Sequence, residues 1–123
     1  VPEKQLKKKK YQEILLFDAN TGFSTIERFA MYPQGIDGVA SHIMKSMKYP
    51  EQAVVERIEG VVIVGYTVEV DGTIGRINVL QSVHPTLDEE AIRVIKSMEL
   101  WEPARQGGKP VATTYTQNFN FSL

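Results

Sequence analysis

The chain has 123 residues, 42% of them hydrophobic and 24% charged, with a net charge of −1 and no cysteine. That length suits one domain around one core, and the charge balance gives no overall field to attract nucleic acid or an anionic membrane. The missing cysteines exclude disulfides, cysteine-held zinc and thiol catalysis; no apolar run approaches the roughly 20 residues that cross a bilayer, no signal peptide is visible, and a start at Val1 points to a piece of a longer protein whose membrane anchor has been left out.

Charge is uneven along the chain. Lys4, Lys7, Lys8, Lys9 and Lys10 with Glu3 give the first ten residues +4, leaving −5 for the rest. No aromatic residues interleave with these lysines, so they read as a solvated linker end and not as a nucleic-acid surface. Tyr11–Phe17 is apolar enough to pack but too short to assign by period. Asp18–Gly22 has the composition of a turn, and Ser24–Ala30 is expected to form a single helical turn. Residues 1–30 are therefore expected to be a linker or extension of the domain at 31–123.

From Tyr32 onward the pattern sharpens. Ile36, Val39, Ala40, Ile43, Met44 and Met47 recur at helical spacing, predicting a helix over Gly35–Met47 with Ser41, His42, Lys45 and Ser46 on its wet side. Tyr49-Pro50 ends it, and Pro50 opens a short helix over Glu51–Arg57. Val62, Val64, Tyr66, Val68 and Val70 alternate on one face of a strand over Val61–Val70. Asp71-Gly72 signals a hairpin turn, and Thr73–Gln81 returns as its antiparallel neighbour. Thr86 and Glu89 have capping-box spacing for a helix whose apolar stripe is Leu87, Ala91, Val94, Ile95 and Met98, with Glu89 and Arg93 as an exposed pair. A loop spans Glu99–Pro110, with Trp101 and Pro103 expected to pin it to the core. Val111–Leu123 then alternates between one apolar and one polar face. The order of elements predicts an α+β fold: a small antiparallel β-sheet of about three strands with two to three helices packed on one face.

The last strand carries the functional signal. From Pro110 to Leu123 there is no charged residue. Edge strands are usually defended by lysine, proline or a bulge, because unpaired N–H and C=O groups recruit other strands. An undefended edge fits addition of a peptide strand, with Val111, Ala112, Thr113, Thr114, Tyr115, Thr116, Gln117, Asn118 and Phe119 as the pairing residues. The same edge offers a route to a homodimer. Alternation alone also fits a central strand, which needs no defence.

Catalytic and metal constellations are not evident. His42 and His84 have no acidic or serine partner at motif spacing. Asp88, Glu89 and Glu90 point in different directions on a helix and complement its dipole. Gly107-Gly108 lacks phosphate-loop spacing. Neither a cofactor nor a metal site is expected.

The ordered set Tyr49-Pro50-Glu51-Gln52-Ala53, Ile58-Glu59-Gly60, Val68-Glu69-Val70-Asp71-Gly72-Thr73-Ile74, Leu87-Asp88-Glu89-Glu90-Ala91, Met98-Glu99-Leu100-Trp101-Glu102-Pro103-Ala104 and Gly108-Lys109-Pro110-Val111 resembles the C-terminal domain of TonB-type energy transducers. Tyr32-Pro33-Gln34-Gly35 and the helix after it resemble the longer version found in Bacteroidetes-like bacteria. The resemblance implies a non-enzymatic, periplasmic domain tethered to the inner membrane and driven there by a proton-channel complex through the missing N-terminal part. It implies binding of the TonB-box strand of a TonB-dependent outer-membrane receptor beside the last strand, with force passed on for nutrient transport. It also implies receptor contacts from the segment before and including the Tyr-Pro motif, here Ser46, Met47, Lys48, Tyr49 and Pro50. A second reading keeps the fold but makes it an accessory or sensory interaction module on another membrane protein.

Overall fold

The computed structural model describes residues 15–18 and 22–123. The lysine-rich linker, residues 11–14 of the first apolar segment and the centre of the turn at 19–21 lie outside them. Leu15–Asp18 (β1) and Gly22–Thr25 (β2) form an antiparallel hairpin in which Asp18 pairs with Gly22. The helical turn expected over Ser24–Ala30 is not formed. Instead β2 runs to Thr25, and the chain continues as an irregular strap whose Arg28 and Met31 bridge Arg105 and Glu102. Ile26, buried, and Phe29, half-buried, are residue types that suit an extended segment lying on a core.

The remaining elements are helices α1 (Gly35–Ser46), α2 (Glu51–Val55) and α3 (Pro85–Lys96), and strands β3 (Gly60–Val68), β4 (Ile74–Gln81), β5 (Ala104–Gln106), β6 (Lys109–Val111) and β7 (Thr113–Phe121). The fold is α+β, with a three-stranded antiparallel sheet in the order β4-β3-β7. One face of the sheet supplies Val62, Val64, Tyr66, Val68, Phe119 and Phe121, all buried. The helices cover that face with Ala53 from α2 and Leu87, Ala91, Val94 and Ile95 from α3, while Val39 and Ile43 of α1 pack at its margin. Each fully buried aliphatic side chain here contributes roughly 1.5–3 kcal/mol. The opposite face of β7 carries Thr114, Thr116, Asn118 and Asn120, all exposed.

Several expectations shift by a few residues for identifiable reasons. β3 ends at Val68, and Val70 is 54% exposed because it sits in the turn. Glu69 and Thr73 close that turn, with Gly72 N–H donating to Glu69 O and Gly72 at φ 85°. This is a three-residue hairpin ending on a left-handed glycine, not the two-residue turn that Asp71-Gly72 suggested. α2 stops at Val55 because Arg57 turns left-handed at φ 55°, with Ile58 N–H bonding Ala53 O and Arg57 N–H bonding Val54 O. That pair of bonds is a Schellman cap, here built on a non-glycine residue.

α3 begins two residues earlier than the capping box implied, with His84 and not Thr86 as its N-cap. Pro85 occupies the first turn, and the His84 ring Nδ1 accepts the Thr86 N–H at 3.2 Å. A proline is pre-set for the first helical position, so it moves the cap to the residue before it. Arg93 pairs with Glu90 and not with Glu89, with Nε 2.7 Å from Oε1. The expected loop over Glu99–Pro110 contains the β5–β6 hairpin, turned by Gly107 and Gly108 at φ 59° and 74°. Two successive positive φ values are what a tight hairpin turn needs, and Gly-Gly supplies them without strain.

Trp101 joins these pieces. It is 8% exposed, its ring lies 5.2 Å from Tyr32 and 5.9 Å from Tyr66, and it stacks on Tyr115 at 6.0 Å and 12°. Its backbone N–H donates to Gly72 O at 2.9 Å. A Cβ on Gly72 would lie 2.0 Å from Trp101 O, a backbone atom that cannot step aside. Gly72→Ala is therefore expected to cost more than about 2 kcal/mol through strain at positive φ and the loss of this contact, measured by urea unfolding. Arg57→Gly is expected to gain roughly 1 kcal/mol in the same assay, because glycine occupies the left-handed cap without the Cβ penalty.

Candidate functional site: a free sheet edge beside an apolar groove

β7 pairs with β3 over nine consecutive positions, from Val68↔Thr113 to Gly60↔Phe121, with no register shift. Among the described residues β3 is its only strand partner, so β7 is a sheet edge. β4, the other edge, differs: its pairing with β3 is irregular between Ile63 and Val64 and between Tyr66 and Val68, and it carries the exposed Arg76. Irregularity and charge are the usual protections of an edge; β7 has neither.

The direction of the backbone groups on β7 follows from its neighbours. Glu69 N–H donates to Thr73 O, and Val61 O accepts from Gln81 Nε2, so both residues face β4. Backbone direction alternates along an antiparallel strand. The odd-numbered residues of β3 therefore face β4 and the even-numbered ones face β7. Through the register, Thr113, Tyr115, Gln117, Phe119 and Phe121 bond to β3. Thr114, Thr116, Asn118 and Asn120 turn their N–H and C=O outward. Their side chains stand on the exposed face, and those of the odd residues stand on the helix face.

Two of the nine residues expected to form the pairing edge lie elsewhere. Val111 belongs to β6, where it pairs with Ala104, and Ala112 is the break before β7. Pro110 and the Gly-Gly turn give β5–β6 its own two-stranded sheet, a break that the continuous alternation of the sequence does not show. Thr113 through Phe119 are brought together on one straight strand.

Ser46, Met47, Lys48, Tyr49 and Pro50 lie where α1 gives way to α2, near the far end of the same strand. The Tyr49 ring meets Phe121 edge-on at 5.5 Å. Their backbone is held from behind by α3: Arg93 Nη2 donates to Ser46 O at 2.5 Å, and Lys48 N–H donates to Glu90 Oε2 at 2.6 Å. Tyr49 Oη donates to Ile58 O, and burial, then the charge of Glu59, raises its pKa. The backbone here is engaged inside the domain, which leaves the exposed Lys48 side chain for an outside partner.

α1 departs from its expected packing. Met44 is 82% and Ile36 44% exposed, Ala40 is exposed, and His42 is not on a wet face. His42 Nε2 lies 3.1 Å from Val94 O and 3.0 Å from Ser97 Oγ, fastening α1 to α3. The helix is thereby pinned on one side and stands off the sheet on the other. Between it, the strap and the start of β7 lies a groove of about 680 Å³. Ile36, Val39, Ala40 and Ile43 line it from α1, Phe29 from the strap, and Tyr115, Thr116 and Gln117 from β7. The strap is held by Ala30 N–H on Tyr115 Oη at 2.8 Å, and Thr113 Oγ1 donates to the same oxygen at 2.8 Å. Sequence periodicity missed this groove, since it treated the whole α1 stripe as core. No group of three or more metal-ligating side chains occurs among the described residues, nor is any described helix long and apolar enough to cross a membrane.

The fold is thus an α+β domain with its helices on a single face of the sheet and, among the described residues, an uncovered edge at β7. The sequence model of the Gram-negative bacterial TonB protein C-terminal matches residues 45–123, and the chain belongs to that family of non-enzymatic interaction domains. Protein TonB of Pseudomonas aeruginosa is 37% identical over 75 residues, 61% of this chain and 22% of that protein. The chain thus spans about a fifth of that relative's length. The solution structure of the P. aeruginosa TonB C-terminal domain superposes with a TM-score of 0.52 at 37% identity, covering 63% of this chain and 78% of that one. The Helicobacter pylori TonB C-terminal domain gives 0.50 at 23% identity over 69% of this chain and 78% of its own, a likeness of fold. The groove's α1 and strap walls precede the matched residues.

The Glu90–Arg93–Lys48 clamp has a pH signature. Burial pushes the Glu90 pKa up, but the hydrogen bonds from Arg93 and Lys48 N–H and the charges of both cations outweigh it and hold it below 4.5. A carboxylate with a lowered folded pKa stabilises above its unfolded value, and that stability is lost as pH falls through the folded value. Glu90→Gln is expected to cost about 1 kcal/mol at neutral pH. The Tm difference from wild type should close as pH drops below about 4.5, followed by thermal melts across pH.

Proposed function

We propose that this domain is the periplasmic end of a TonB-type energy transducer. It binds the TonB-box segment of an outer-membrane receptor as an added strand on β7 and passes force to it. The observation that carries the reading is the uncharged strand Thr113–Phe121, which pairs with β3 in one unbroken register and, among the described residues, has no second strand partner, in a chain of the TonB family. Thr114, Thr116 and Asn120 each offer one donor and one acceptor to an incoming backbone, and Asn118 offers its N–H, its carbonyl already accepting from Gln117 Nε2 at 2.9 Å. Each such bond nets roughly 0.5–1.5 kcal/mol. After ordering costs, a short segment then binds at about micromolar affinity. That strength fits a link that must hold under load and then release.

The Ser46–Pro50 segment supplies a second contact near the Phe121 end, with Lys48 as its exposed cation. The inner-membrane tether and the proton-channel complex belong to the parts of the protein that precede this domain. The bare edge also permits two copies to pair, and that dimer would compete with the receptor segment.

The test is titration of the chain with TonB-box peptides of its own organism's receptors, followed by backbone amide shifts. Saturable shifts along Thr113–Phe121 are expected. Thr116→Pro removes an outward N–H and spares the bonds to β3, so it should abolish binding while the Tm stays within a few degrees of wild type. Binding unchanged by Thr116→Pro would sink edge pairing. Absence of shifts at millimolar peptide would shift the assignment to an accessory module on another membrane protein.

A further inference from the structure

We infer that the groove between α1 and β7 is a side-chain subsite that selects an uncharged, apolar residue in the strand added at β7, an inference that rests on the edge-pairing reading. A strand paired with Thr116 through its outward N–H and C=O places that paired residue's side chain on the exposed face. The residues before and after it stand opposite Tyr115 and Gln117 and face the helix layer. Tyr115 and Gln117 line the groove, so one of these two side chains enters it.

The groove's chemistry defines its occupant. Ile36, Val39, Ala40 and Ile43 form one wall. Among the described residues, the charged ones in the lining are Glu27 and Arg28, and both are engaged: Glu27 Oε1 accepts Gly107 N–H at 2.6 Å, and Arg28 pairs with Glu102 at 3.0 Å. The lining is thus electrically balanced, and a charged side chain would lose its hydration there without gaining a partner. The adjoining edge, Pro110–Leu123, is also free of charge. A volume of about 680 Å³ falls within the size range of pockets that recognise side chains and small ligands, roughly 300–1,000 Å³.

A second copy of this chain does not fit the space. Pairing β7 with β7 would offer Thr113, Tyr115, Gln117, Phe119 and Phe121 on the helix face. Thr113, Phe119 and Phe121 are buried in their own domain, Tyr115 is bonded to Ala30 and Thr113, and Gln117 is a polar amide bonded to Asn118 O. None is a free aliphatic side chain that could enter a neighbour's groove. A lone extended segment of a partner protein, with a free aliphatic side chain on that face, meets both the edge and the groove.

Three end-blocked peptides of threonine and serine, each as long as β7, serve as probes. They carry leucine, alanine or glutamate at the central position on the helix-facing side. Methyl and amide NMR of the wild-type chain should show all three shifting β7 amides. Leucine should bind tenfold to a hundredfold more tightly than alanine, and it alone should shift Ile36, Val39 and Ile43 methyls. Ala40 is exposed on α1, so Ala40→Trp fills the groove with the fold kept. It should erase the preference for leucine over alanine. Equal affinities for leucine and glutamate in the wild type, or a leucine preference that survives both Ala40→Trp and Ile36→Glu, would overturn the subsite and leave the edge reading intact. Groove methyl shifts without β7 amide shifts would overturn edge pairing and keep the groove. No binding of any probe would overturn both, and peptide-free dimerisation that shifts the groove methyls would assign the space to a second copy and overturn the proposal.

Discussion

Trp101 sits where the strap, the β3–β4 turn, the sheet and the β5–β6 hairpin meet, and the other segments take their positions from it. Its ring packs against Tyr32, Tyr66 and Tyr115, and its backbone closes on Gly72. Aromatic rings bury large areas and favour tilted or offset contacts worth roughly 0.5–1.5 kcal/mol beyond that area. Its Nε1 is the single buried side-chain polar atom without a hydrogen-bond partner among the described residues. The indole is kept for its size and flatness in a site that offers rings and no acceptor.

Tyr115 translates that packing into the geometry of the edge. One phenol oxygen accepts the strap through Ala30 N–H and the start of β7 through Thr113, while its ring stacks on Trp101. The strap therefore stops beside the edge and does not pair with it. Its own backbone bonds go to Arg105 and Glu102 on the hairpin side. An extended segment placed next to an open strand would otherwise be its natural partner. Diverting it to β5 leaves Thr114, Thr116, Asn118 and Asn120 with outward backbone groups, and it leaves room for the groove between strap and helix.

α3 holds the opposite end. Arg93 and Glu90 grip the backbone of Ser46 and Lys48, and Val94 O and Ser97 Oγ meet His42. Of the two candidate contact regions, Ser46–Pro50 is thus fastened to that helix, while β7 is held by its nine-position ladder to β3 and by Phe119 and Phe121 in the core beneath it.

The sequence by itself determined the elements whose signal is local. The alternation of Val62, Val64, Tyr66 and Val68, the stripe of Leu87, Ala91, Val94 and Ile95, and the charge-free final segment each reflect one face meeting one environment. Period and burial agree there because nothing distant competes. Trp101 could be read as an anchor because a large ring in a polar loop needs a core to lie on. The tertiary structure alone decided the rest. That β7 is an edge depends on where the chain's other strands go, which no residue of β7 encodes. The exposure of Ile36, Ala40 and Met44 depends on how far α1 stands from the sheet, and the bonds of His42 to α3 set that distance. The cap on His84 and the pairing of Arg93 with Glu90 turned on Pro85 and on the Lys48 backbone, contacts too distant or too specific for spacing rules. The groove exists because an apolar stripe that periodicity assigns to the core is only half covered, a fact of packing and not of pattern.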